Sequence, residues 1–269
     1  ILCGLLPQKK IAMDGVGFLQ AERAFDDCGV ETVRLPGDQE GLDLSALEKS
    51  GVKQVMVSPS APTGQATAMP PSRRFALLQW AGEQDGLILE DDYNGELRYT
   101  ARPIPALQGS GRERVVYLGS FSKLLLPSVR ISYMVLPPSL LTRYAPRARA
   151  YNQTSSKVEQ LALADYIREG QLERHLRRMR KLYLLKSRQL QESIRKELGK
   201  TVPMALLETA LAVVIQVPGA RDIAERAAQK GIRVFPVGED LLRLGFAGIP
   251  LDRISRGMEE LARVMADRP

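Results

Sequence analysis

Histidine is almost missing from this chain: His175 is the sole one among 269 residues. That scarcity excludes Ser-His-Asp and Cys-His nucleophilic chemistry, and any metal centre built on several imidazoles. His175 is read simply as a polar position on a long helix. Cysteine is nearly as scarce. Cys3 and Cys28 are the two present and neither belongs to a Cys-x-x-Cys pair, so no disulfide scaffold and no zinc site is expected, and a reducing cytoplasm suits the composition. No apolar stretch approaches the length of a membrane span, and the run Ile1-Leu2-Cys3-Gly4-Leu5-Leu6 has neither a charged leader nor a cleavage pattern. A soluble protein with no membrane contact is the expectation. Internal repeats, low-complexity tracts and Gly/Ser linkers are absent as well.

What is present is enough apolar residue, 44% of the chain, to bury a sizeable core in two lobes. The net charge is +7. Much of that excess lies between Arg168 and Lys200, where basic residues share helical turns with Glu169, Glu173, Glu192 and Glu197, so a solvated helix face accounts for it better than nucleic-acid contact.

Short β-branched runs alternate with helical patterns through the first half. Ile11–Asp14, Glu31–Leu35, Gln54–Val57, Leu87–Glu90, Val115–Leu118 and Ile131–Leu136 read as strands, and Phe18–Cys28 and Ser72–Gln84 as helices, the latter opening after Pro70-Pro71. Strand, helix, strand in repetition predicts an α/β lobe with a mostly parallel sheet, here residues 1–170. Ligands of such sheets sit beyond the carboxyl ends of the strands. In the second half Leu172, Leu176, Met179, Tyr183, Leu190 and Ile194 recur at helical spacing, predicting one long helix over about Gln171 to Leu198. Strands at Leu211–Val217, Ile232–Phe235 and Leu241–Phe246 and helices at Ala220–Lys230 and Pro250–Met265 complete a smaller α+β lobe, residues 171–269, with the long helix as the expected connector.

The chemistry gathers where the apolar runs end. Ser120-Phe121-Ser122-Lys123, with Arg130 seven residues on, combines an amine, two hydroxyls and a fixed cation, which are the groups needed to hold pyridoxal phosphate: a Schiff base from Lys123 and charge-assisted hydrogen bonds to the phosphate. Glu90-Asp91-Asp92-Tyr93 offers a carboxylate and a phenol to the same ring. Asp91 is placed to keep a pyridine nitrogen protonated and Tyr93 to bond a ring hydroxyl; taken alone, the acidic tripeptide reads better as a solvated turn, and Ser120, Ser122, Lys123 and Arg130 reverse that preference. Phe18, after Asp14-Gly15-Val16-Gly17, is either a ring stacked on a cofactor or a core residue. Pro62-Thr63-Gly64 reads alone as a generic turn. Arg243 lies in the otherwise apolar run Leu241-Leu242-Arg243-Leu244-Gly245-Phe246 and calls for an anion, either a ligand carboxylate or a structural partner.

In this order the pieces resemble the fold-type-I aminotransferases. The resemblance implies Lys123 as the aldimine lysine, Asp91 as the pyridinium partner, Tyr93 as the ring-hydroxyl partner, Ser120, Ser122 and Arg130 as phosphate ligands, Phe18 as the stacking ring and Arg243 as the carboxylate clamp. A narrower set looks like the effector-binding domain of MocR-type regulators of the GntR superfamily: Glu90-Asp91-Asp92-Tyr93-Asn94-Gly95-Glu96-Leu97-Arg98-Tyr99, Pro103-Ile104-Pro105-Ala106-Leu107-Gln108, Leu126-Pro127-Ser128-Val129-Arg130-Ile131-Ser132-Tyr133, and Glu169-Gly170 followed by His175-Leu176-Arg177-Arg178-Met179-Arg180. That resemblance implies a homodimer sensing an amino compound, or pyridoxal phosphate itself, by exchange at Lys123, with DNA bound through a winged helix-turn-helix outside this sequence. A working aminotransferase is the alternative it leaves open. Ala61 stands where aminotransferases carry an asparagine, and the chain reads as a fragment whose phosphate loop and dimerising arm lie upstream.

Overall fold

The β-branched runs of the first half become one sheet in the computed structural model, which describes residues 1–267 except 15–17, 39, 61–67, 93–94, 101–103, 153 and 208–209. The chain divides into two units, Ile1–Gly95 with Pro103–Glu169, and Glu96–Arg102 with Gly170–Pro269.

The first unit runs α1 (Leu2–Leu5), β1 (Lys10–Asp14), α2 (Leu19–Asp27), β2 (Glu31–Leu35), a short hairpin of β3 (Gly37–Asp38) and β4 (Gly41–Leu42), α3 (Leu44–Ser50), β5 (Gln54–Val57), α4 (Pro71–Glu83), β6 (Leu87–Asp92), α5 (Leu107–Ser110), β7 (Val115–Ser120), β8 (Ser132–Val135), α6 (Pro138–Ala150) and α7 (Lys157–Arg168). Its sheet has the order β2-β1-β5-β6-β7-β8. All pairs are parallel except β7 with β8, so the mostly parallel sheet expected from the alternating pattern is what forms.

Successive residues of these strands enter opposite cores, as the two-residue period of a strand requires. Ala12, Val55, Val57, Ile88 and Val115 join Leu77 and Trp80 of α4 on one face. Ile11, Met13, Met56, Leu87, Leu89 and Val116 join Phe25 of α2 and Leu140 of α6 on the other. With helices on both faces, β5 is buried at every position, so Val55, Met56 and Val57 run apolar without alternation, while the buried Gln54 is satisfied by donating to Gln8 O at 2.9 Å and Lys10 O at 2.7 Å. Local chemistry sets the helix ends. Asp43 caps α3 through Ser45 N at 2.9 Å, Gly51 at φ 66° closes it, and Pro71 occupies the first turn of α4.

The second unit contains α8 (Gln171–Leu198), β9 (Met204–Leu207), β10 (Ala212–Gln216), α9 (Ala220–Gln229), β11 (Phe235–Pro236), β12 (Leu241–Gly245) and α10 (Leu251–Ala266). Its antiparallel sheet has the order β11-β12-β10-β9. Leu176, Tyr183, Leu190 and Ile194 of α8 are buried, as their spacing predicts. The same face also buries Lys186, whose Nζ donates to Ala247 O at 2.8 Å; burial lowers the pKa of that amine.

Three expectations change. The strand expected at Ile232–Phe235 is only Phe235–Pro236, because Gly231 at φ 78° and the bond from Ile232 N to Ala227 O spend that stretch closing α9. Pro236 lacks a donor and sits on an edge strand, where none is needed. Strands β6 and β7 run on to Asp92 and Ser120, so the acidic residues are strand residues and not a turn. Helices α6 and α7, not anticipated, fill the stretch from 138 to 168.

Candidate functional site

The carboxyl ends of β1, β6 and β7 carry the predicted groups of the first unit. On β6, the strand alternation separates three consecutive acids. Glu90 and Asp92 follow Ile88 onto the α4 face, while Asp91 follows Leu87 and Leu89 onto the α2/α6 face.

Glu90 is fully buried and belongs to the scaffold. Its carboxylate accepts from Leu107 N at 2.8 Å and Gln108 N at 3.0 Å, the first amides of α5, and lies 3.8 Å from Arg74 Nη2. Burial raises its pKa against those hydrogen bonds and the Arg74 charge. Arg74 in turn donates to Pro105 O, so an acid on β6 and a base on α4 together anchor the 104–108 segment. Asp92 is also committed. Oδ1 accepts from Gly95 N at 2.9 Å and Oδ2 from Tyr117 OH at 3.0 Å. Burial, then the Asp92 charge, push the Tyr117 phenol up, so it remains a donor.

Asp91 is half-buried, and burial together with the neighbouring Asp92 raises its pKa to about 6, with the Lys123 ammonium acting in the opposite sense. The amine and the carboxylate singled out from the sequence therefore share one electrostatic environment, at the ends of adjacent parallel strands.

The segment from Ser120 to Arg130 is fixed at both ends. Ser120 Oγ accepts from Ser122 N at 3.2 Å, Phe121 N donates to Ile131 O at 3.0 Å, and Leu125 N donates to Phe121 O at 3.0 Å. The Phe121 ring lies 5.4 Å from Tyr133, which lies 5.9 Å from Tyr117. That row is possible because Gly119, directly opposite Tyr133 in the β7–β8 register, has no side chain; a Cβ there would overlap the phenol. Arg130 closes the short 3₁₀ turn Pro127–Val129 in the left-handed region, φ 48° and ψ 30°. A non-glycine residue held there is strained, a condition that concentrates at ligand sites.

Phe18 is the N-cap of α2, its carbonyl accepting from Ala21 N at 2.8 Å and Glu22 N at 3.1 Å, and its ring is 46% exposed. The core alternative for Phe18 is thereby removed. Tyr93 lies outside the described residues, as do Ala61 and Pro62-Thr63-Gly64.

Arg243 belongs to the second unit. The strand around it is not uniformly apolar in its surroundings: Leu242 and Leu244 are buried while Arg243 is on the open face, with its guanidinium carbon 5.1 Å from the centroid of Phe235, its register partner on β11. Stacked and solvated, it does not require an anion for stability, and the premise that apolar neighbours demand one is corrected. Glu90, Tyr117 and Tyr133 are the structural residues to which the sequence reading assigned no role; the period-two signal in Ile88-Leu89-Glu90-Asp91-Asp92 was the available clue for Glu90.

The chain matches the family described as aminotransferase class I and II over residues 1–261. It is 36% identical over 274 residues to the HTH-type transcriptional regulator YdeL of Bacillus subtilis, covering 97% of this chain and 59% of that protein. It is 31% identical over 261 residues to the probable rhizopine catabolism regulatory protein MocR of Rhizobium meliloti, covering 93% and 53%. Among solved structures, the kynurenine aminotransferase of Pyrococcus horikoshii superposes with a TM-score of 0.80 at 26% identity, covering 99% of this chain and 72% of that one. The chain thus spans less than two thirds of the length of these regulators.

Proposed function

The chain belongs to the aminotransferase class I and II family, and from that premise we propose that it is the effector-sensing domain of a MocR-type transcription regulator. Its fold is that of the fold-type-I aminotransferases, and the cofactor of that fold is pyridoxal 5'-phosphate. When bound, the cofactor supplies an electron sink for chemistry at an amine carbon.

The donor set fits that group. Lys123 supplies the amine, Ser120, Ser122 and Arg130 supply donors for a phosphate, Asp91 holds a proton at the pyridine nitrogen, Phe18 covers a ring face and Tyr93 serves the ring hydroxyl. The observation that carries the reading is that the half-buried Asp91 carboxyl feels the Lys123 charge across adjacent strand ends, while Asp92 is already occupied by Gly95 and Tyr117. A half-buried carboxyl whose pKa is raised by burial gains more from a cationic ring nitrogen than one already saturated with hydrogen bonds does.

Regulation, rather than turnover, is favoured by the greater similarity to HTH-type regulators over nearly the whole chain. In this reading an amino compound exchanges with the Lys123 amine, and its binding shifts the protein toward the conformation it prefers. Arg243 receives the carboxylate of an effector that has one. The protein acts in the cytoplasm as a homodimer, for which the exposed Val158 and Leu161 of α7 offer apolar surface, and it contacts DNA through a winged helix-turn-helix domain outside this sequence. Among the described residues no helix is long and apolar enough to cross a membrane.

The test is spectroscopic and kinetic. Mixed with pyridoxal 5'-phosphate, the protein is expected to gain a visible absorption band that shifts with one class of amino compound in a panel, without sustained turnover when a 2-oxo acid is added. Sustained turnover would establish the second reading, an aminotransferase, which the likeness to the Pyrococcus enzyme supports. Failure to gain any band would remove the cofactor site.

A further inference from the structure

The two cysteines, 25 positions apart and far from any motif, converge at one place in the first unit. Cys3 lies in α1, and its Sγ donates to Ala24 O at 3.9 Å. Ala24 is one helical turn before Cys28, the C-cap of α2. A side chain at the end of a helix leans toward the helix N-terminus, over the residue four positions earlier. That tilt directs the Cys28 side chain back along α2 toward the turn that the Cys3 thiol already touches, and burial, then the neighbouring Cys28 thiol, raise the Cys3 pKa. Lys9 Nζ bonds Cys28 O at 3.4 Å and holds that helix end to the start of β1.

We propose that Cys3 and Cys28 form a reversible intrachain disulfide, a thiol modification site separate from the cofactor residues. Cys28 is exposed and meets an oxidant first, whereas Cys3 is partly covered. With a small disulfide such as oxidised glutathione as the oxidant, the Cys28 thiolate attacks one of its sulfurs and releases one glutathione thiol. The Cys3 thiolate then attacks the Cys28 sulfur of the mixed disulfide and releases the second. One sulfur–sulfur bond has formed and one has broken; two electrons have passed to glutathione, which carries away the two protons. Disulfides formed in a reducing compartment are typically transient and redox-sensing, and this one would staple α1 to the C-terminal end of α2.

The test uses the native chain and oxidised glutathione. Intact mass is expected to fall by two hydrogens with no glutathione retained, both thiols should become unreactive to maleimide, and digestion should yield one cross-linked peptide containing Cys3 and Cys28. Dithiothreitol should reverse all three changes. Cys3→Ser should instead retain one glutathione on Cys28, which separates convergence of the two thiols from simple exposure of one. Formation of the cross-link should slow by roughly tenfold or more in urea, because the fold supplies the proximity. Glutathione retained on both cysteines of the native protein, maleimide reactivity unchanged at both, or equal rates folded and unfolded would each overturn the proposal.

Discussion

Asp91 and Asp92 are consecutive on β6, yet their carboxylates have opposite environments. Asp92 accepts hydrogen bonds from Gly95 N and Tyr117 OH. Asp91, on the other face of the strand, is dominated by burial and by the charges of Asp92 and Lys123. Two identical side chains one residue apart are thereby given separate tasks, the one bracing the scaffold and the other available to a cation.

The pH dependence of cofactor binding should report the Asp91 task. Burial raises the Asp91 pKa to about 6, and only the carboxylate can pair with a protonated pyridine nitrogen. Below about pH 6 the free protein holds a proton there that must leave on binding. Affinity should therefore fall as pH drops, approaching about tenfold per unit, and reach a plateau above. Asp91→Asn should weaken binding and flatten the profile. Spectroscopic titration of the cofactor from about pH 5 to 7.5 measures this, and an unchanged slope in Asp91→Asn would mean the wrong carboxylate was chosen.

Asp92→Ala should instead act on stability. It removes two hydrogen bonds to a charged acceptor and leaves the Tyr117 hydroxyl without that partner, at a cost of about 2 kcal/mol. The visible spectrum of the cofactor-loaded protein should be unaltered. Urea denaturation with and without cofactor separates the two effects.

Lys123→Ala should abolish cofactor that borohydride can trap, because it removes the amine assigned to the aldehyde. Peptide mapping of the trapped wild type is expected to find the label on Lys123. A label on another lysine would sink the assignment.

Gly119→Ala tests the aromatic row behind the lysine segment. The added methyl meets the Tyr133 ring, and overpacking of that kind costs about 1–3 kcal/mol. Tyr133→Ala should relieve most of it, so thermal denaturation of the double variant should show strong non-additivity.

Arg243→Gln should weaken binding of a carboxylate-bearing effector by about ten- to a hundredfold, the equivalent of roughly 1.5–3 kcal/mol for a charge-assisted pair. Cofactor retention should survive. Calorimetry on the cofactor-loaded variant decides it, and unchanged affinity would leave Arg243 to its stacking on Phe235.

The sequence by itself determined what depends on neighbours along the chain. The β-branched runs and the 3.6-residue stripe of α8 set the order of elements, because periodicity is a property of short segments. Ser120-Phe121-Ser122-Lys123 was legible for the same reason, its donors being grouped within one turn. What only the tertiary structure decided are relations between distant segments. Glu90 looked like part of a solvated acidic turn until the amides of Leu107 and Gln108 and the Arg74 guanidinium made its burial tolerable. Arg243 looked stranded among leucines until β12 turned its open face outward beneath Phe235 of β11. Cys3 and Cys28 showed no motif spacing at all, and only the tertiary fold brought the Cys3 thiol to the last turn of α2, which Cys28 caps. In each case the deciding free energy comes from desolvation and pairing across the fold, which no local pattern encodes.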